Sequence, residues 1–579
     1  MSSARTATPY VALKYARRVL GAALGLLATY PFYRLLSEPD TGLAGRTTVE
    51  IANAYQQFSL LVLMVALMVA LLVARVWSQL QFVIGRLGNA LVRIPEQTFA
   101  LTCALIALVL AALFGIRALQ GEPNLIDAVA QLVHARYLAS GQLAGPLTDV
   151  VFGMLPQMLV TPAGWVSQYP PGHVVLLAIG LKLGMVELIG PLLLGATAYL
   201  TARLAELLFP EQRAVGRLGA LFVAGSPFLI AHAGAYLSHT SAAAFGVAAL
   251  YLAVRANFHG RGLIWAGAAL GGLFTIRPLT AVTMSAVILL WSSTRGRLRD
   301  RWAAPLWIAH SVLPFVVLIG LYNLRFFGSA WRFGYEAALG RNGALGFGID
   351  PWGNVYGPLQ ALAYTSAELA ALSLLLLETA LPAVLAIAVF VVLAPRLERG
   401  DRLLLAWVLA PLATHTFYWH HGLFMGPRML NEYAPAWCLL FARAIVSTPR
   451  LVNIRRKVLG YSPAALAGAL LLVGSAAMLV LAPMRLASYA TPPSPAAAAV
   501  TQLSSPALVF VHTAWEDRIA MRLAAVGMRL DSIETALRQN PTCAVQLYAD
   551  ARVRARPLPP LDLAPRAQNL PPRREIAPG

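Results

Sequence analysis

Long, unalternated runs of Leu, Ala, Val and Gly recur from one end of this sequence to the other, and they leave few architectures open. About 13 or 14 of them approach the roughly 20 apolar residues that a helix needs to cross a bilayer. They fall at 19–36, 57–77, 98–117, 171–185, 187–207, 214–234, 238–256, 262–276, 279–294, 303–323, 370–394, 402–419, 430–446 and 461–482. Unpaired backbone groups are costly in hydrocarbon, and the runs lack the period-two alternation of barrel strands, so they are expected to be α-helices. With 58% hydrophobic and 12% charged residues and a mean hydropathy of +0.66, a soluble multidomain enzyme is excluded. The expected fold class is an all-α polytopic membrane protein with a small soluble α/β segment at its C-terminal end. The runs 171–185 and 262–276 are short for a crossing and suit tilted, re-entrant or broken helices.

A net charge of +20 would suggest nucleic acid in a soluble chain. Here the cations gather at span ends, as in Arg17-Arg18, Arg295 to Arg299 and Arg455-Arg456-Lys457. That is the positive-inside pattern, and no aromatic-interleaved basic groove accompanies it, so no nucleic-acid partner is expected. The bias puts the N-terminus, the 78–97 connection and the 295–302 and 448–460 loops in the cytoplasm. The loop holding Asp127 is then expected outside, which in a bacterial cell is the periplasmic face of the inner membrane. Cys103, Cys438 and Cys543 are far apart in sequence, so no disulfide framework follows. The first apolar run lacks a convincing cleavage site and reads as a retained helix.

Three regions are expected: a two-helix membrane extension over 1–97, a transmembrane core over 98–483 with its first outer loop at 118–170, and a soluble segment over 484–579. In the last, 507–512 and 543–548 read as strands and 515–525 as a helix. The final thirty residues carry seven prolines, six arginines and three acids, and are expected to be disordered or laid on a surface.

Within the outer loop, helical spacing puts Asp127, Gln131 and His134 on one face of 125–138, opposite Leu125, Val129, Leu132 and Val133. This predicts an interfacial helix whose polar face meets water or a hydrophilic substrate; the same spacing also describes an ordinary connector with a solvated Asp127. The loop ends in Gln168-Tyr169-Pro170-Pro171-Gly172-His173. Proline suits a first helical turn and forces Tyr169 extended, so the motif starts a helix and also holds Tyr169 and His173 at the base of the loop. Arg277 stands inside apolar sequence, where a cation is costly unless paired or wet. Such a residue suits a phosphate partner, or marks a break between two spans.

A second polar cluster runs from His420 to Tyr433. Gly426-Pro427 ends one element, and Arg428 and Glu432 then fall at i and i+4 of the next, a spacing that suits a mutual salt bridge. It also suits an arginine clamp on a phosphate, with Glu432 orienting it. Adjacent histidines point apart on a helix and no third ligand is near, so no zinc site is expected at His420-His421. The Gly- and aromatic-rich stretch from Tyr322 to Gly353, with Tyr335 within it, suits either sugar stacking or an interfacial belt.

The order of these motifs, from Asp127 through Ala135 to Gly141, Gln168 to His173, Arg277-Pro278, Tyr322-Asn323 and Gly426-Pro427-Arg428 with Glu432, resembles the GT-C integral-membrane glycosyltransferases. The similarity is to the bacterial protein-mannosyltransferase and aminoarabinose-transferase-like group, and it covers about 98–445. It implies an enzyme that moves a sugar from a polyprenyl-phosphate carrier to a lipid, glycan or protein acceptor, usually with inversion. Asp127 then inherits the role of general base, while the family's frequent second acid is replaced here by Ala128. Arg428 and then Arg277 are implied as phosphate ligands, with Tyr169, His173, His134 and Glu432 lining the substrate site. No cofactor is expected, and divalent-metal assistance stays open. A transporter or flippase for a lipid-linked or anionic substrate is the principal alternative; it should show broken helices in two related halves, and no internal repeat is visible. A structural or assembly protein comes third.

Overall fold

The computed structural model describes residues 7–37, 42–123, 125–146, 157–258, 260–294, 298–340, 344–351, 353–419, 423, 425–451, 461–490, 507–512, 544–549 and 575–576. Its first helix, α1 (Ala7–Thr29), stops before Pro31 and a 3-10 turn, so the expected 19–36 run ends early. Helix α2 (Gly42–Val73) leads through a second 3-10 turn into α3 (Trp77–Arg93), where a connection was expected. The reason is a stripe, Trp77, Leu80, Ile84, Leu87 and Leu91, at helical spacing. Pro95 then starts α4 (Glu96–Arg117), which delivers the chain to the Asp127 loop.

That loop contains α5 (Ile126–Ala139) and an antiparallel hairpin of β1 (Met158–Thr161) and β2 (Gly164–Ser167), two strands the apolar pattern did not suggest. The bundle continues with α6 (Pro171–Lys182), α7 (Val186–Leu208), α8 (Arg213–Gly225) and α9 (Pro227–Gly234). The α8–α9 pair bends by 43° at Ser226-Pro227. Proline sits at the first helical position of α9, and Ser226 Oγ accepts from the Leu229 N–H while donating to the Leu376 carbonyl at 2.5 Å. Next come α10 (Ser238–Arg255), α11 (Leu263–Ile276) and α12 (Pro278–Ser293), the last two separated by Arg277 alone. The long α13 (Leu298–Phe327) is followed by α14 (Gly334–Leu339) and a short hairpin of β3 (Gly348–Ile349) and β4 (Val355–Tyr356).

The expected single run 370–394 is two helices, α15 (Pro358–Leu375) and α16 (Ala383–Leu393). Glu378 interrupts it: its φ is +50°, its side chain is buried, and it pairs with Arg485 at 2.6 Å. Pro382 then opens α16. Helix α17 (Arg399–His415), a 3-10 turn over Arg428–Tyr433 and α18 (Ala434–Leu451) complete the core, and α19 (Pro463–Ala476) and α20 (Met478–Ser488) follow.

Among the described residues, five helical stretches are long and apolar enough to cross a membrane: Gly45–Arg93, Glu96–Arg117, Val186–Leu208, Trp302–Phe327 and Pro463–Ser488. The bent α8–α9 pair makes a sixth, and α6, α11, α12 and α16 are apolar but shorter. This is a polytopic helical membrane protein, with fewer full-length spans than the 13 or so runs suggested. Prolines and buried polar residues cut the apolar runs into shorter helices that share one core.

The core fixes which ends of the helices lie together. Glu96 of α4 meets Arg213 of α8 at 3.4 Å, and Arg443 of α18 meets Asp401 of α17 at 2.9 Å, all at one end. The other ends of α4, α7, α10, α11 and α17 gather around the Asp127 loop.

In the C-terminal segment β5 (Ala507–His512), β6 (Ala544–Ala549) and β7 (Glu575–Ile576) form a parallel three-stranded sheet. The two expected strands are present, and the expected helix at 515–525 lies outside the described residues. Within the expected structureless tail, Glu575–Ile576 pairs with Leu547 and Tyr548, a stretch between prolines that is free to donate to a ladder.

Candidate functional site

Helix α5 is not the surface helix its spacing predicted. Gln131 and His134 are buried, and only Asp127 of the three retains partial exposure. The β1–β2 hairpin explains why: His134 Nε2–H donates to the Leu143 carbonyl at 3.1 Å, and Nδ1 faces Ser167 Oγ of β2 at 3.1 Å. The polar face therefore ties the loop together. Burial lowers the His134 pKa to about 4, against 6.5 for a free imidazole. The unfolded chain thus takes up a proton that the folded loop excludes. Stability from the neutral ring is intact above pH 6.5 and is lost as pH falls to about 4, a cost on the order of 3 kcal/mol. Protease cleavage within 118–170 is expected to rise over that interval, and His134→Asn should remove this acid dependence.

The Tyr169-Pro170-Pro171-Gly172-His173 motif does what its prolines predict: Pro170 is the N-cap of α6 and Pro171 opens it. Gly172 adds a reason of its own. A Cβ there would collide with Thr275 Oγ1 and stand 2.7 Å from the Thr275 carbonyl, so glycine lets α6 close on the end of α11 just before Arg277. Gly334 plays the same part for α14, where a Cβ would strike the Gln168 backbone. Gly172→Ala is expected to lower the detergent melting temperature and weaken any activity that needs Arg277. A melting curve matching the wild type would mean that the contact relaxes without cost.

His173 is buried behind the motif, with Nε2–H donating to the Tyr236 carbonyl at 3.0 Å and Nδ1 3.0 Å from Ser241 Oγ. Both ring nitrogens of His134 and of His173 are thus engaged within the protein. Tyr169 donates to Gln157 Oε1 and sets its ring edge-on to Tyr335, with centroids 5.7 Å apart. Burial, and after it the charge of Asp127, pushes its phenol well above the usual range, so the hydroxyl stays a donor.

Arg428 and Glu432 do not pair with each other. They stand in a 3-10 turn, where 3.0 residues per turn rotate i+4 about 120° away from i, whereas an α-helix would have stacked them. Arg428 instead reaches Asp127, Nη1 to Oδ2 at 2.9 Å, with side chains 8% and 21% exposed. Its Nε–H is buried without a hydrogen-bond partner among the described residues. Glu432, 1% exposed, forms an ion pair with Arg277, whose Nε lies 2.5 Å away, and its same oxygen lies 3.1 Å from His239 Nδ1. Because arginine only donates, the 3.5 Å contact of Arg277 Nη1 with His239 Nε2 makes that nitrogen the acceptor and puts the imidazole proton on Nδ1, facing Glu432.

One end of the bundle therefore holds Asp127 from α5, Tyr169 from the loop base, Arg277 from the α11–α12 break, His239 from α10, and Arg428 and Glu432 from the turn. Tyr335 and Tyr418 lie within electrostatic reach of both Asp127 and Arg277. Two non-glycine residues beside the site, Tyr236 (φ +57°) and Met425 (φ +60°), hold the left-handed conformation, a strain that tends to persist at functional positions. Sequence reasoning missed His239; its signal was the polar run Ser238-His239-Thr240-Ser241 in an otherwise apolar helix. His420 and His421 lie outside the described residues, and among those described no three His, Cys, Asp or Glu side chains are grouped to hold a metal.

No protein-family model matches the chain, nor does any curated protein. Among solved structures it is similar to the crystal structure of ArnT from Cupriavidus metallidurans bound to undecaprenyl phosphate. The identity is 12% and the TM-score 0.41, over 78% of this chain and 86% of that one. It is also similar to the apo oligosaccharyltransferase of Archaeoglobus fulgidus, at 14% identity and a TM-score of 0.36, over 74% of this chain and 64% of that one. At this level of likeness the site stands on its own chemistry.

Proposed function

We propose that this protein is a membrane glycosyltransferase that moves a sugar from a polyprenyl-phosphate carrier to an acceptor hydroxyl by base-assisted, inverting transfer at the outer face of a bacterial inner membrane. The observation that supports it is the pairing of Asp127 with Arg428 beside the Arg277–Glu432 pair, at the end of the bundle where four distant segments converge. Such a transfer needs a base for the attacking hydroxyl and cations for the departing phosphate, and no acid for a leaving group that departs as an anion.

In the proposed reaction the acceptor oxygen attacks the anomeric carbon and its proton passes to Asp127. The bond from that carbon to the phosphate oxygen breaks, and its electron pair leaves with the polyprenyl phosphate. Arg428 offers Nε–H, and Nη2–H on the same edge of the guanidinium, as a two-pronged donor to phosphate. A phosphate that draws Arg428 away also frees Asp127 Oδ2, so the base becomes available only when the carrier is seated. Arg277 supplies the second cation, while Tyr335 offers a donor hydroxyl and the rings of Tyr169 and Tyr335 offer their edges to the sugar.

The test is consumption of radiolabelled undecaprenyl-phosphate sugars, glucose, mannose and 4-amino-arabinose, by the protein in nanodiscs with a lipid, glycan or peptide acceptor. Release of undecaprenyl phosphate with a labelled acceptor supports the proposal. Movement of an intact labelled carrier across liposomes, with no donor consumed, overturns it in favour of a flippase.

A further inference from the structure

The 3-10 turn carries a third side chain that no part of the reaction above uses. Residues three apart eclipse one another in such a turn, so Asn431 lies on the face of Arg428, the face that reaches Asp127, and not on that of Glu432. Asn431 is fully buried, and among the described residues neither its Oδ1 nor its Nδ2 has a hydrogen-bond partner. A buried amide left unpaired is costly, and folded proteins hold few such groups, so each one calls for a partner or a role. Here the cost falls on the same short turn as the unpaired Nε of Arg428 and Oε2 of Glu432.

The chemistry of the amide selects the ligand. An ionised phosphate could take the Nδ2 hydrogens but has no proton to give Oδ1. A hydroxyl donates and accepts at once and satisfies both ends. We infer that Asn431 is a specificity-determining residue that binds a hydroxyl of the transferred sugar, next to the phosphate held by Arg428. The inference rests on the glycosyltransferase reading for the source of that hydroxyl.

The test compares the full-length protein with Asn431→Leu, of similar shape, and with Asn431→Ala. Three quantities are measured in detergent: the ligand-free melting temperature, the affinity for undecaprenyl phosphate alone, and the affinity for undecaprenyl-phosphate mannose and glucose. Asn431→Leu is expected to melt higher than the wild type when ligand-free, because an unpaired amide has gone. Both variants should bind the bare phosphate carrier within about twofold of the wild type, and lose about 10- to 100-fold of affinity for a sugar-bearing carrier.

A lower ligand-free melting temperature for Asn431→Leu would mean that the amide is bonded within the protein, which overturns the inference. Equal losses for bare and sugar-bearing carriers, or no gain from either sugar in the wild type, overturn it as well. If the wild type binds no carrier at all, the transferase reading falls; the melting comparison then decides alone, a rise supporting a hydroxyl site fed from another source and a fall overturning it.

Discussion

Asp127→Asn is expected to lower sugar transfer by about 10²–10⁴-fold, the range that a positioned general base contributes, while carrier binding stays within a few-fold of the wild type. The argument starts from the partner. Arg428 Nη1 donates to Asp127 Oδ2 at 2.9 Å, and an asparagine oxygen can accept the same bond, so the turn should hold its place. Asparagine cannot take a proton from an acceptor hydroxyl. It also leaves Arg428, only 8% exposed, without its negative partner, which should favour a phosphate there. Single-turnover transfer and carrier affinity, measured together, separate the roles. Transfer within tenfold of the wild type removes Asp127 as the base, and a parallel collapse of carrier binding makes it a structural counter-ion.

How far this site could be read from sequence depends on the kind of residue. Asp127, Arg277 and Arg428 stand out because a charge in apolar sequence has few inexpensive places to go. Their mutual partners do not, since the ladder from Asp127 to Arg428 joins residues 301 positions apart in the chain. The helical reading of 428–432 stacked Arg428 on Glu432 and so allowed a local salt bridge beside the phosphate clamp. The 3-10 geometry separates them, and in place of one apparent pair three contacts, Asp127–Arg428, Arg277–Glu432 and His239–Glu432, knit α5, the α11–α12 break and α10 to the same turn. Pro170-Pro171 announced the start of α6 correctly, because proline restricts φ whatever surrounds it. The reason for Gly172 became visible only with Thr275 beside it.

The fold divides along the same line. Apolar composition marked helices and membrane, but a period count cannot see that Glu378 will fold inward to meet Arg485, nor that His134 will turn from solvent to Ser167. Such interruptions make long runs into short helices. Tertiary partners settle them, and a window along the sequence does not contain those partners.

Glu432→Ala is expected to cost about 3–5 kcal/mol of stability, because removing one member of a buried pair strands the other. Arg277 would keep its charge beside Met429 Sδ, at 3.2 Å, and the paired His239, with no anion to offset it. His239 Nδ1–H would also lose its acceptor. The remedy distinguishes the pair's electrostatics from its packing. Replacing both partners, Arg277→Met with Glu432→Leu, leaves no charge to strand, and should recover most of the lost stability, to within about 1–2 kcal/mol of the wild type. Transfer should stay absent in that double variant, because a cation proposed to hold the leaving phosphate has gone. Thermal unfolding in detergent reads the first quantity and carrier turnover the second. A double variant no more stable than Glu432→Ala would mean that the pair contributes shape and not charge. A double variant that still transfers sugar would leave Arg428 alone as the phosphate's cation.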